Sequence, residues 1–383
     1  MRIAVDARPA IDRNKTGVGW YTHYLIRWLP AVDPGISYTA WYLHGRDPFS
    51  RQRFFEEQAN LKEKGVPFPA RPWQRLSNRV GIPRVEWTTR FDVLFAPNYI
   101  PPATGTRNLV LTVHDLAFKV LPETAPHANR FWHRYFNRAL DRAAGIITVS
   151  EATRNDLCEI YEIDPGRVTT VLSGVDHGIY RPAGEEAVTA VKDHFGIDGP
   201  YLLFVGGLEP RKNLRMLLRA FSHLPADVRP TLVLAGAPVH WIPGGSEIMS
   251  SALRLLPDEV RRNVVLPGYV SEDEKVALLS GAEALVYPSV YEGFGMPVLE
   301  AMACGTPVLT SNLSSLPEVA GDAALLVDPY ETSAIASGME RLLADDALRA
   351  RLREAGAARA RMFTWEEAAR QTAKVLHRAA ERE

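Results

Sequence analysis

Short apolar runs recur along this chain, separated by stretches that are long enough to hold a helix. Runs of this kind, bounded by polar and glycine-rich segments, are typical of strands buried in a parallel sheet. The runs that we predict as strands are 3–5, 109–113, 146–149, 201–205, 231–235, 264–266, 285–287, 308–310 and 325–327. Strands that alternate with helices predict an α/β fold, whose ligands bind beyond the carboxyl ends of the strands.

The domain organisation follows from length and from one change in composition. The chain has 383 residues, which exceeds one ordinary core and fits about two domains. Around 172–182, glycines, an aspartate and a proline follow an apolar run, and the next predicted strand begins only at Tyr201. We therefore predict domains at 1–176 and 177–363, with a ligand cleft between them. The apolar residues of 364–383 have helical spacing, which predicts a closing helix.

Composition narrows the class of protein. Hydrophobic residues make up 46% of the chain and charged residues 23%, as in globular proteins, and a net charge of −1 gives no reason to expect nucleic acid as a partner. Cys158 and Cys304 lie far apart in sequence, which indicates neither a disulfide framework nor a metal cluster and favours a reducing compartment. Because the N-terminal apolar run is too short for a signal peptide and no run approaches the roughly 20 residues that span a bilayer, we expect a cytoplasmic protein.

The segment 46–90 differs from the rest of the chain in charge. It holds ten Lys and Arg against five Asp and Glu. Its aromatic residues include Phe49, Phe54, Phe55, Trp73 and Trp87. A basic, aromatic surface of this kind is able to lie on an anionic membrane leaflet, so one interpretation is peripheral contact with the inner face of the membrane. The alternative is a solvated helical face whose apolar side belongs to the core.

Two glutamates flank a glycine-rich loop near the end of the predicted second sheet. Glu292 lies in this loop and Glu300 in the opening turn of a predicted helix, for which Pro297 is a suitable first residue. The loop residues Gly293, Phe294 and Gly295 carry no side-chain oxygen that could cap the helix. Open N–H groups at a helix start bind anions, and the carboxylates accept hydroxyls, so the pattern suits a ligand with both groups. The alternative is that Glu300 is only an acid favoured by the helix dipole.

A second glycine-rich turn, 204–213, follows one predicted strand and precedes a helix. Its cations Arg211 and Lys212 would stand beside paired glycines, where they are able to hold a diphosphate. The turn is not a Walker loop, because the pattern Gly-x4-Gly-Lys-Ser/Thr is absent. An exposed Arg-Lys pair is the alternative interpretation, and Asn213 is a candidate helix cap.

The first half of the chain offers two further candidates. Gly17 and Gly19 lie between the first strand and a predicted helix, where glycine permits close approach of a ligand, although loops also use glycine simply to turn. His114 follows the predicted strand 109–113 and is a candidate for orienting a sugar hydroxyl, with Asp115 holding its tautomer. A histidine in this position is more often structural.

These motifs together resemble the retaining glycosyltransferases of family 4, which have the GT-B fold. The motifs are Glu292 and Glu300 with seven residues between them, the turn Gly-Gly-Leu-Glu-Pro-Arg-Lys-Asn at 206–213, His-Asp-Leu at 114–116 and Pro317 to Asp322. The resemblance runs from Met1 to about Pro329. It implies two Rossmann-like domains with parallel sheets facing a central cleft, a nucleotide-sugar donor held mainly by the second, an acceptor held by the first, and a final helix that crosses back to the N-terminal domain.

The resemblance also implies a role for each residue at the donor. Glu300 would hold the ribose hydroxyls, Glu292 would contact hydroxyls of the transferred sugar, and His114 would lie beside that sugar. The backbone of Gly293, Phe294 and Gly295 would bind the sugar and phosphates.

Lys212 and Arg211 would neutralise the diphosphate, Tyr269 and Val270 would lie by the base, and Gly17 would approach the phosphate from the first domain. Many members of the family carry an arginine five residues before the lysine, where this chain has Gly207. Arg211 is the candidate to replace that charge. The departure at Gly207 leaves undecided which residues contact the pyrophosphate.

The implied reaction is retaining and needs no metal or other cofactor, because Asp-x-Asp, the usual metal-binding motif for such donors, occurs nowhere in the chain. Segments such as Asp6-Ala-Arg8 and 16–21 are most similar to bacterial mannosyltransferases that use GDP-mannose in polysaccharide assembly, with a saccharide or lipid-linked saccharide as acceptor. UDP- and dTDP-sugars stay open as donors. A nucleotide-sugar 2-epimerase, a non-catalytic nucleotide-sugar binder and a phosphorylase with pyridoxal phosphate are the alternatives of other classes.

Overall fold

A computed structural model describes residues 1–12, 15–45, 53–124, 129–236, 251, 253–254 and 256–381. The chain divides into two compact units. The first comprises Met1–Leu116, His127–Gly174 and Thr364–Glu383, and the second comprises Ala117–Pro126 and Val175–Phe363. Each unit is built around its own parallel sheet.

The sheet of the first unit has the strand order β3-β2-β1-β4-β5-β6-β7, and neighbouring strands pair in parallel. Its strands are β1 (Arg2–Asp6), β2 (Ser37–Leu43), β3 (Leu61–Val66), β4 (Val93–Ala96), β5 (Leu109–Val113), β6 (Ala143–Thr148) and β7 (Val168–Thr170). Every residue of β4 and β5 is buried, because these central strands are covered by helices on both faces.

The sheet of the second unit has the order β10-β9-β8-β11-β12-β13 and is also parallel. Its strands are β8 (Tyr201–Val205), β9 (Thr231–Ala235), β10 (Val264–Gly268), β11 (Ala284–Tyr287), β12 (Val308–Ser311) and β13 (Leu325–Val327). In both sheets the strand order reverses beside the first strand, which is the arrangement of a Rossmann-like domain.

The helices follow the strands in the order expected for right-handed crossovers. They are α1 (Gly17–Val32), α2 (Ala70–Val80), α3 (Ala117–Val120), α4 (Asn129–Arg142), α5 (Glu151–Tyr161), α6 (Glu185–Phe195), α7 (Leu214–Ser222), α8 (Asp258–Arg261), α9 (Glu272–Gly281), α10 (Met296–Ala303), α11 (Leu316–Ala320), α12 (Thr332–Ala344), α13 (Asp346–Ala360) and α14 (Trp365–Ala380). Among the residues described here, no helix combines the length and the apolar character needed to cross a membrane.

All nine runs predicted as strands overlap strands of the two sheets, and only 146–149 extends one residue beyond its strand, β6. The division into units differs from the predicted ranges at two places. The first unit ends at Gly174 instead of 176, and the segment Ala117–Pro126 is grouped with the second unit. The final helix α14 belongs to the first unit, where it packs against α1 and β6.

The start of α14 is fixed by close aromatic packing within the first unit. Trp365 stacks on Tyr24 of α1 with ring centroids 4.9 Å apart. At its other end, His377 Nε2 lies 2.7 Å from Asp33 Oδ2, just beyond the end of α1. Gly174 faces the same helix start, and a Cβ there would lie 2.2 Å from the backbone nitrogen of Trp365. The position therefore tolerates only glycine without displacement of α14.

The basic, aromatic segment 46–90 divides between core and surface. Its first part, including Phe49, lies outside the described residues. Phe55 and Trp73 are buried, so the membrane interpretation is wrong for these two side chains. Trp87 is 65% exposed and Phe68 37%, so these two aromatic residues of the segment are open to an external partner.

Candidate functional site

In the second sheet the strand order changes direction between β8 and β11. These two strands pair with each other, β8 pairs with β9 on its outer side, and β11 pairs with β12 on its outer side, all in parallel. Ligands of such sheets bind at this point, beyond the carboxyl ends of the strands. Strand β8 leads into a 3₁₀ turn at Pro210–Lys212, and β11 leads into the loop that carries Glu292. The topology thus brings the two glycine-rich motifs of the second unit together.

The carboxylate of Glu292 is the centre of this site. Its Oε1 accepts from Lys212 Nζ at 2.5 Å, from Ser289 Oγ at 2.8 Å and from the Tyr287 hydroxyl at 2.9 Å. Its Oε2 accepts from Arg211 Nη1 at 2.7 Å. The Lys212 ammonium also donates to the Tyr287 hydroxyl. Four side chains from two loops therefore hold one buried carboxylate.

Backbone contacts hold the same two loops in register. The carbonyl of Arg211 accepts from the Val290 amide and from Ser289 Oγ, each at 2.9 Å. The side chain of Asn213 donates to the carbonyls of Pro288 and Pro329, at 3.1 and 2.7 Å. Asn213 stands at the N-cap position of α7, as predicted, but its side chain joins the loops and does not cap the helix.

The charges of this cluster set the protonation of its members. Burial alone would raise the pKa of Glu292, but Arg211, Lys212 and the hydrogen bond from Ser289 lower it to about 2. Burial, with the neighbouring Arg211, lowers the pKa of Lys212 despite the attraction of Glu292. Burial and Glu292 raise the pKa of Tyr287, which stays a neutral phenol. Glu292 is thus an ionised hydrogen-bond acceptor across the physiological range and cannot serve as a proton donor.

Glu209 completes the charge balance, because its Oε2 lies 2.7 Å from Arg211 Nε. Two cations and two carboxylates therefore cancel within the cluster. An ammonium group has three N–H donors, of which Lys212 uses two on Tyr287 and Glu292. Its third N–H is able to bind a ligand oxygen.

The loop after Glu292 starts helix α10 without a side-chain cap. Gly295 occupies the N-cap position with φ +107°, and a Cβ there would lie 2.7 Å from Leu316. Ser315 Oγ lies 2.9 Å from the carbonyl oxygen of Glu292 and 2.8 Å from that of Phe294, and its one O–H is able to donate to either. Phe294 is buried, with Gly293 just before it. At this helix start Pro297 has no N–H, and the N–H groups of Val298 and Leu299 donate to the carbonyl of Gly295. The positive end of the helix dipole is therefore the main feature here that suits an anion.

Glu300 is the fifth residue of α10, because the helix begins at Met296 and not at Pro297. Its carboxylate is buried, and its Oε2 lies 3.3 Å from Lys275 Nζ of helix α9. Lys275 also contacts Glu272 Oε1 at 3.2 Å. The prediction included no role for Lys275, whose only sequence signal was an acid three residues earlier on the same helix.

The remaining donor-site candidates of the second unit are placed by loops. Gly207 follows β8, and its carbonyl accepts from the Glu209 amide at 2.9 Å. Tyr269 and Val270 lie between β10 and α9, with Tyr269 69% exposed and Val270 buried. The exposed phenol ring offers a flat surface to a ligand, and Val270 belongs to the core.

His114 and Gly17 belong to the first unit. His114 Nε2 lies 2.9 Å from the carbonyl of Pro97, so Nε2 carries the proton and Nδ1 is the acceptor nitrogen of the neutral ring. Burial lowers the pKa of His114. Its ring packs edge-on against Tyr21 of α1, with centroids 4.7 Å apart. Gly17 begins that helix one turn earlier, and a Cβ there would meet no atom within 4 Å.

The structure therefore brings Arg211, Lys212 and Glu292 into direct contact and places Glu300 one turn along the adjoining helix. Residues that the sequence reasoning missed complete both clusters: Glu209, Lys275, Tyr287, Ser289 and Ser315. Tyr287 and Ser289 directly flank the end of a predicted strand, which is the signal that could have found them.

Two family models match the chain. Residues 15–178 match the model described as Glycosyltransferase Family 4, and residues 191–359 match the model described as Glycosyl transferases group 1. These matches agree with the resemblance carried by the motifs, which they confirm together with the predicted enzyme class.

Curated relatives give the same result. The O-antigen chain mannosyltransferase B of Escherichia coli is 36% identical over 286 residues, which cover 73% of this chain and 72% of the relative. The serotype-specific mannosyltransferase WbdA of Escherichia coli is 30% identical over 273 residues, which cover 70% of this chain and 33% of the relative. The chain thus spans only about a third of the second, longer protein.

Solved structures share the fold along the whole chain. Sucrose-phosphate synthase from Thermosynechococcus elongatus superimposes with a TM-score of 0.75 at 19% identity, covering 98% of each chain. A likeness at this identity shows the fold alone. The predicted fold class, α/β with two Rossmann-like domains of the GT-B type, is confirmed.

Replacing Glu292 by Gln leaves Lys212 buried without a carboxylate. Because an uncompensated buried charge is costly, we expect Glu292→Gln to lower the free energy of unfolding by about 3 kcal/mol at pH 7. The folded pKa of Glu292 is about 2, so its contribution is fully present above the unfolded pKa of about 4.3 and is lost as the pH falls towards 2. Urea unfolding of both proteins from pH 7 to pH 3 measures the difference.

Asp258→Asn is the matched control, since Asp258 lies 3.2 Å from Arg261 in an exposed pair of the same unit. We expect it to change stability by less than about 1 kcal/mol. A difference between wild type and Glu292→Gln that stays constant from pH 7 to pH 3 would contradict the assigned ionisation.

Proposed function

Because the chain belongs to glycosyltransferase family 4, we propose that it transfers mannose from GDP-mannose to a saccharide acceptor. Two relatives at 36% and 30% identity are mannosyltransferases, which supports mannose as the transferred sugar. The name of the first, O-antigen chain mannosyltransferase B, supports a saccharide or lipid-linked saccharide acceptor in bacterial polysaccharide assembly. UDP- and dTDP-sugars are the alternative donors.

The observation that carries the proposal is the cluster around Glu292 beside the start of α10. A nucleoside diphosphate leaves when its developing charge is stabilised by fixed donors. Lys212 offers its third N–H, Arg211 lies next to it, and the N-terminus of α10 adds a positive dipole end. These groups are fixed before the donor binds, so little reorganisation is needed during the reaction.

We propose a retaining reaction in which Glu292 binds the sugar and takes no part in bond formation. The bond between the anomeric carbon and the phosphate oxygen breaks, while the acceptor oxygen bonds to the same face of that carbon. The acceptor's proton passes to the departing phosphate oxygen. A nucleophilic role for Glu292 is disfavoured because Oε1 accepts three hydrogen bonds and Oε2 accepts one from Arg211.

We further propose that no metal and no other cofactor is required. Lys212 and Arg211 would supply fixed N–H donors to the diphosphate in place of a metal, and Asp-x-Asp is absent from all 383 residues. Turnover that is unchanged after exhaustive treatment with a chelator would support this, and loss of turnover that added Mg²⁺ or Mn²⁺ restores would refute it.

The other assignments at the donor stay predictions from the family resemblance. They are Glu300 on the ribose hydroxyls, Tyr269 and Val270 by the base, residues 293–295 on the sugar and phosphates, Gly207 and Gly17 near the phosphates, and His114 beside the sugar. The exposed ring of Tyr269 supports its position by the base, because an aromatic face is able to stack on a nucleobase.

The first experiment identifies the donor. We expect GDP-mannose to raise the melting temperature of the protein and UDP- and dTDP-sugars to leave it nearly unchanged, because a ligand that binds only the folded state stabilises it. Incubation of the bound donor with a mannose-containing oligosaccharide then gives a product in which the anomeric configuration of the donor is kept. Stabilisation by a UDP- or dTDP-sugar alone would refute GDP-mannose, and inverted product would refute the retaining reaction.

Variants of three residues test how the site divides binding from turnover. We expect Lys212→Met and Glu300→Gln each to raise the dissociation constant of GDP about tenfold or more, because each loses a charge-assisted hydrogen bond. We expect His114→Ala to leave donor affinity within about twofold and to lower kcat about a hundredfold. Calorimetry with GDP and initial rates with GDP-mannose measure the two effects.

The matched control is Lys192→Met, which removes a lysine from helix α6 of the same unit. It should leave both GDP affinity and kcat unchanged. Unchanged GDP affinity in both Lys212→Met and Glu300→Gln would show that the donor site is assigned to the wrong residues.

We also propose that the first unit contacts an anionic membrane surface, which is where a lipid-linked acceptor would be found, on the cytoplasmic side. The outward face of α2 and the turn after it expose the apolar side chains of Leu76, Val80, Ile82 and Trp87. Exposed Arg75, Arg79 and Arg84 stand among them. Exposed apolar groups flanked by arginines suit the interface of an anionic leaflet.

Vesicles test this surface directly. We expect the protein to sediment with phosphatidylglycerol vesicles and not with phosphatidylcholine vesicles, with a blue shift of Trp87 fluorescence. The double variant Arg75→Ala, Arg79→Ala should weaken binding at least tenfold, at roughly 1 kcal/mol for each arginine. Arg351→Ala, which removes an exposed arginine of α13, is the control. Equal binding to both kinds of vesicle would refute the proposal.

A further inference from the structure

A mostly buried lysine beside Glu300 has no part in the reaction described above. Lys275 lies in the first turn of α9, whose start is fixed by a capping box between Ser271 and Glu274. Its side chain is only 14% exposed, although long cationic side chains are seldom buried without a specific partner. The partners of Lys275 therefore indicate why it is held there.

Lys275 lies among three polar side chains that come from different segments of the second unit. Its Nζ is 3.2 Å from Glu272 Oε1 and 3.3 Å from Glu300 Oε2. It also lies 4.8 Å from the ring centroid of Tyr180, whose hydroxyl donates to Glu272 Oε2. Two carboxylates and one aromatic ring thus surround the ammonium.

The electrostatics of this group favour a permanent charge on Lys275. Burial alone would lower the pKa of Lys275, but Glu300 and Glu272 outweigh burial and raise it. Burial and the same two carboxylates raise the pKa of Tyr180, so its phenol stays protonated as a donor. The ammonium is therefore a fixed cation with a single orientation, unlike a mobile surface lysine.

We propose that Lys275 is a positioning residue that orients the Glu300 carboxylate for the ribose of the donor. It binds Oε2 and thereby turns Oε1 towards the two ribose hydroxyls. This inference rests on the proposed role of Glu300. It adds that Lys275 is the residue that makes the Glu300 carboxylate selective for ribose. Lys275 itself touches neither the ribose nor the reacting atoms.

The position of Lys275 in the chain supports this role over that of a simple helix clamp. The segment just before α9 holds Tyr269 and Val270, which we place by the base. Lys275 therefore ties the element that follows the base contacts to the helix that carries Glu300. A nucleoside that contacts both the segment before α9 and helix α10 would find its base and ribose contacts already in place. Less conformational entropy is then lost on binding.

The experiment compares two nucleotides that differ only in the ribose. Calorimetry is performed with GDP and with 2′,3′-dideoxy-GDP, which lacks both hydroxyls. We expect Lys275→Met to raise the dissociation constant of GDP about tenfold and that of the dideoxy nucleotide by less than about twofold. We expect kcat with saturating GDP-mannose to change by less than about threefold, because the reacting atoms are untouched.

Two further variants separate positioning from folding. Lys275→Arg keeps the charge and should retain GDP affinity within about threefold. Tyr180→Phe removes the hydroxyl that donates to Glu272 and also interacts with Glu300, while Lys275 keeps its charge. It should give a smaller loss than Lys275→Met, again confined to GDP. Equal losses for both nucleotides in these variants would indicate a purely structural lysine and overturn the inference, as would unchanged GDP affinity in Lys275→Met.

Glu300→Gln separates failure of this inference from failure of the proposed function. If Glu300→Gln weakens GDP and spares the dideoxy nucleotide while Lys275→Met does not, Glu300 binds ribose and only the role of Lys275 is wrong. If Glu300→Gln weakens both nucleotides equally, the assignment of Glu300 fails, and the role of Lys275 fails with it.

Discussion

The buried carboxylate of Glu292 ties together two loops that the pairing of β8 with β11 places side by side. One loop follows β8 and brings Arg211 and Lys212, and the other follows β11 and brings Ser289 with Glu292 itself. Removing any one partner would leave a charge or a polar atom buried without compensation. The shape of the proposed donor site therefore depends on these contacts and on the backbone bonds beside them, which form because β8 and β11 are neighbours in the sheet.

Most of the fold could be predicted from sequence because central parallel strands are buried on both faces and read as continuous apolar runs. The short central strand β4 is a buried apolar run that the prediction missed, whereas β2 and β3 were missed for physical reasons. Strand β3 is an edge strand of charged residues, with only Leu61 and Val66 buried. Strand β2 mixes Ser and Thr with buried aromatic residues, so its apolar run is interrupted although Tyr38 and Trp41 are core residues.

The candidate site was predictable in its residues but not in its contacts. Glu292, Arg211 and Lys212 stood out because glycine-rich turns after strands mark ligand sites. That Lys212 and Glu292 bind each other follows from the pairing of β11 with β8, which local sequence does not encode. Lys275 gave even less signal, since its partners Glu300 and Tyr180 lie far away in sequence. Phe55 and Trp73 are an error in the other direction. Their place in a basic segment indicated a possible membrane surface, but both are core residues.

Glu292 and Glu300 have the same electrostatic problem, and in both cases a neighbouring lysine resolves it. A carboxylate is a good acceptor for sugar hydroxyls, but a carboxylate near a diphosphate repels it. Here each glutamate has a lysine of its own, the buried Lys212 for Glu292 and the mostly buried Lys275 for Glu300. Each pair keeps the directional acceptor while cancelling the net charge, so under the proposed roles sugar hydroxyls would bind without a repulsive field. Because Glu209 and Glu292 also offset the charges of Arg211 and Lys212, the stabilisation proposed for the diphosphate would come from directed N–H donors and from the dipole of α10, and not from a net positive charge.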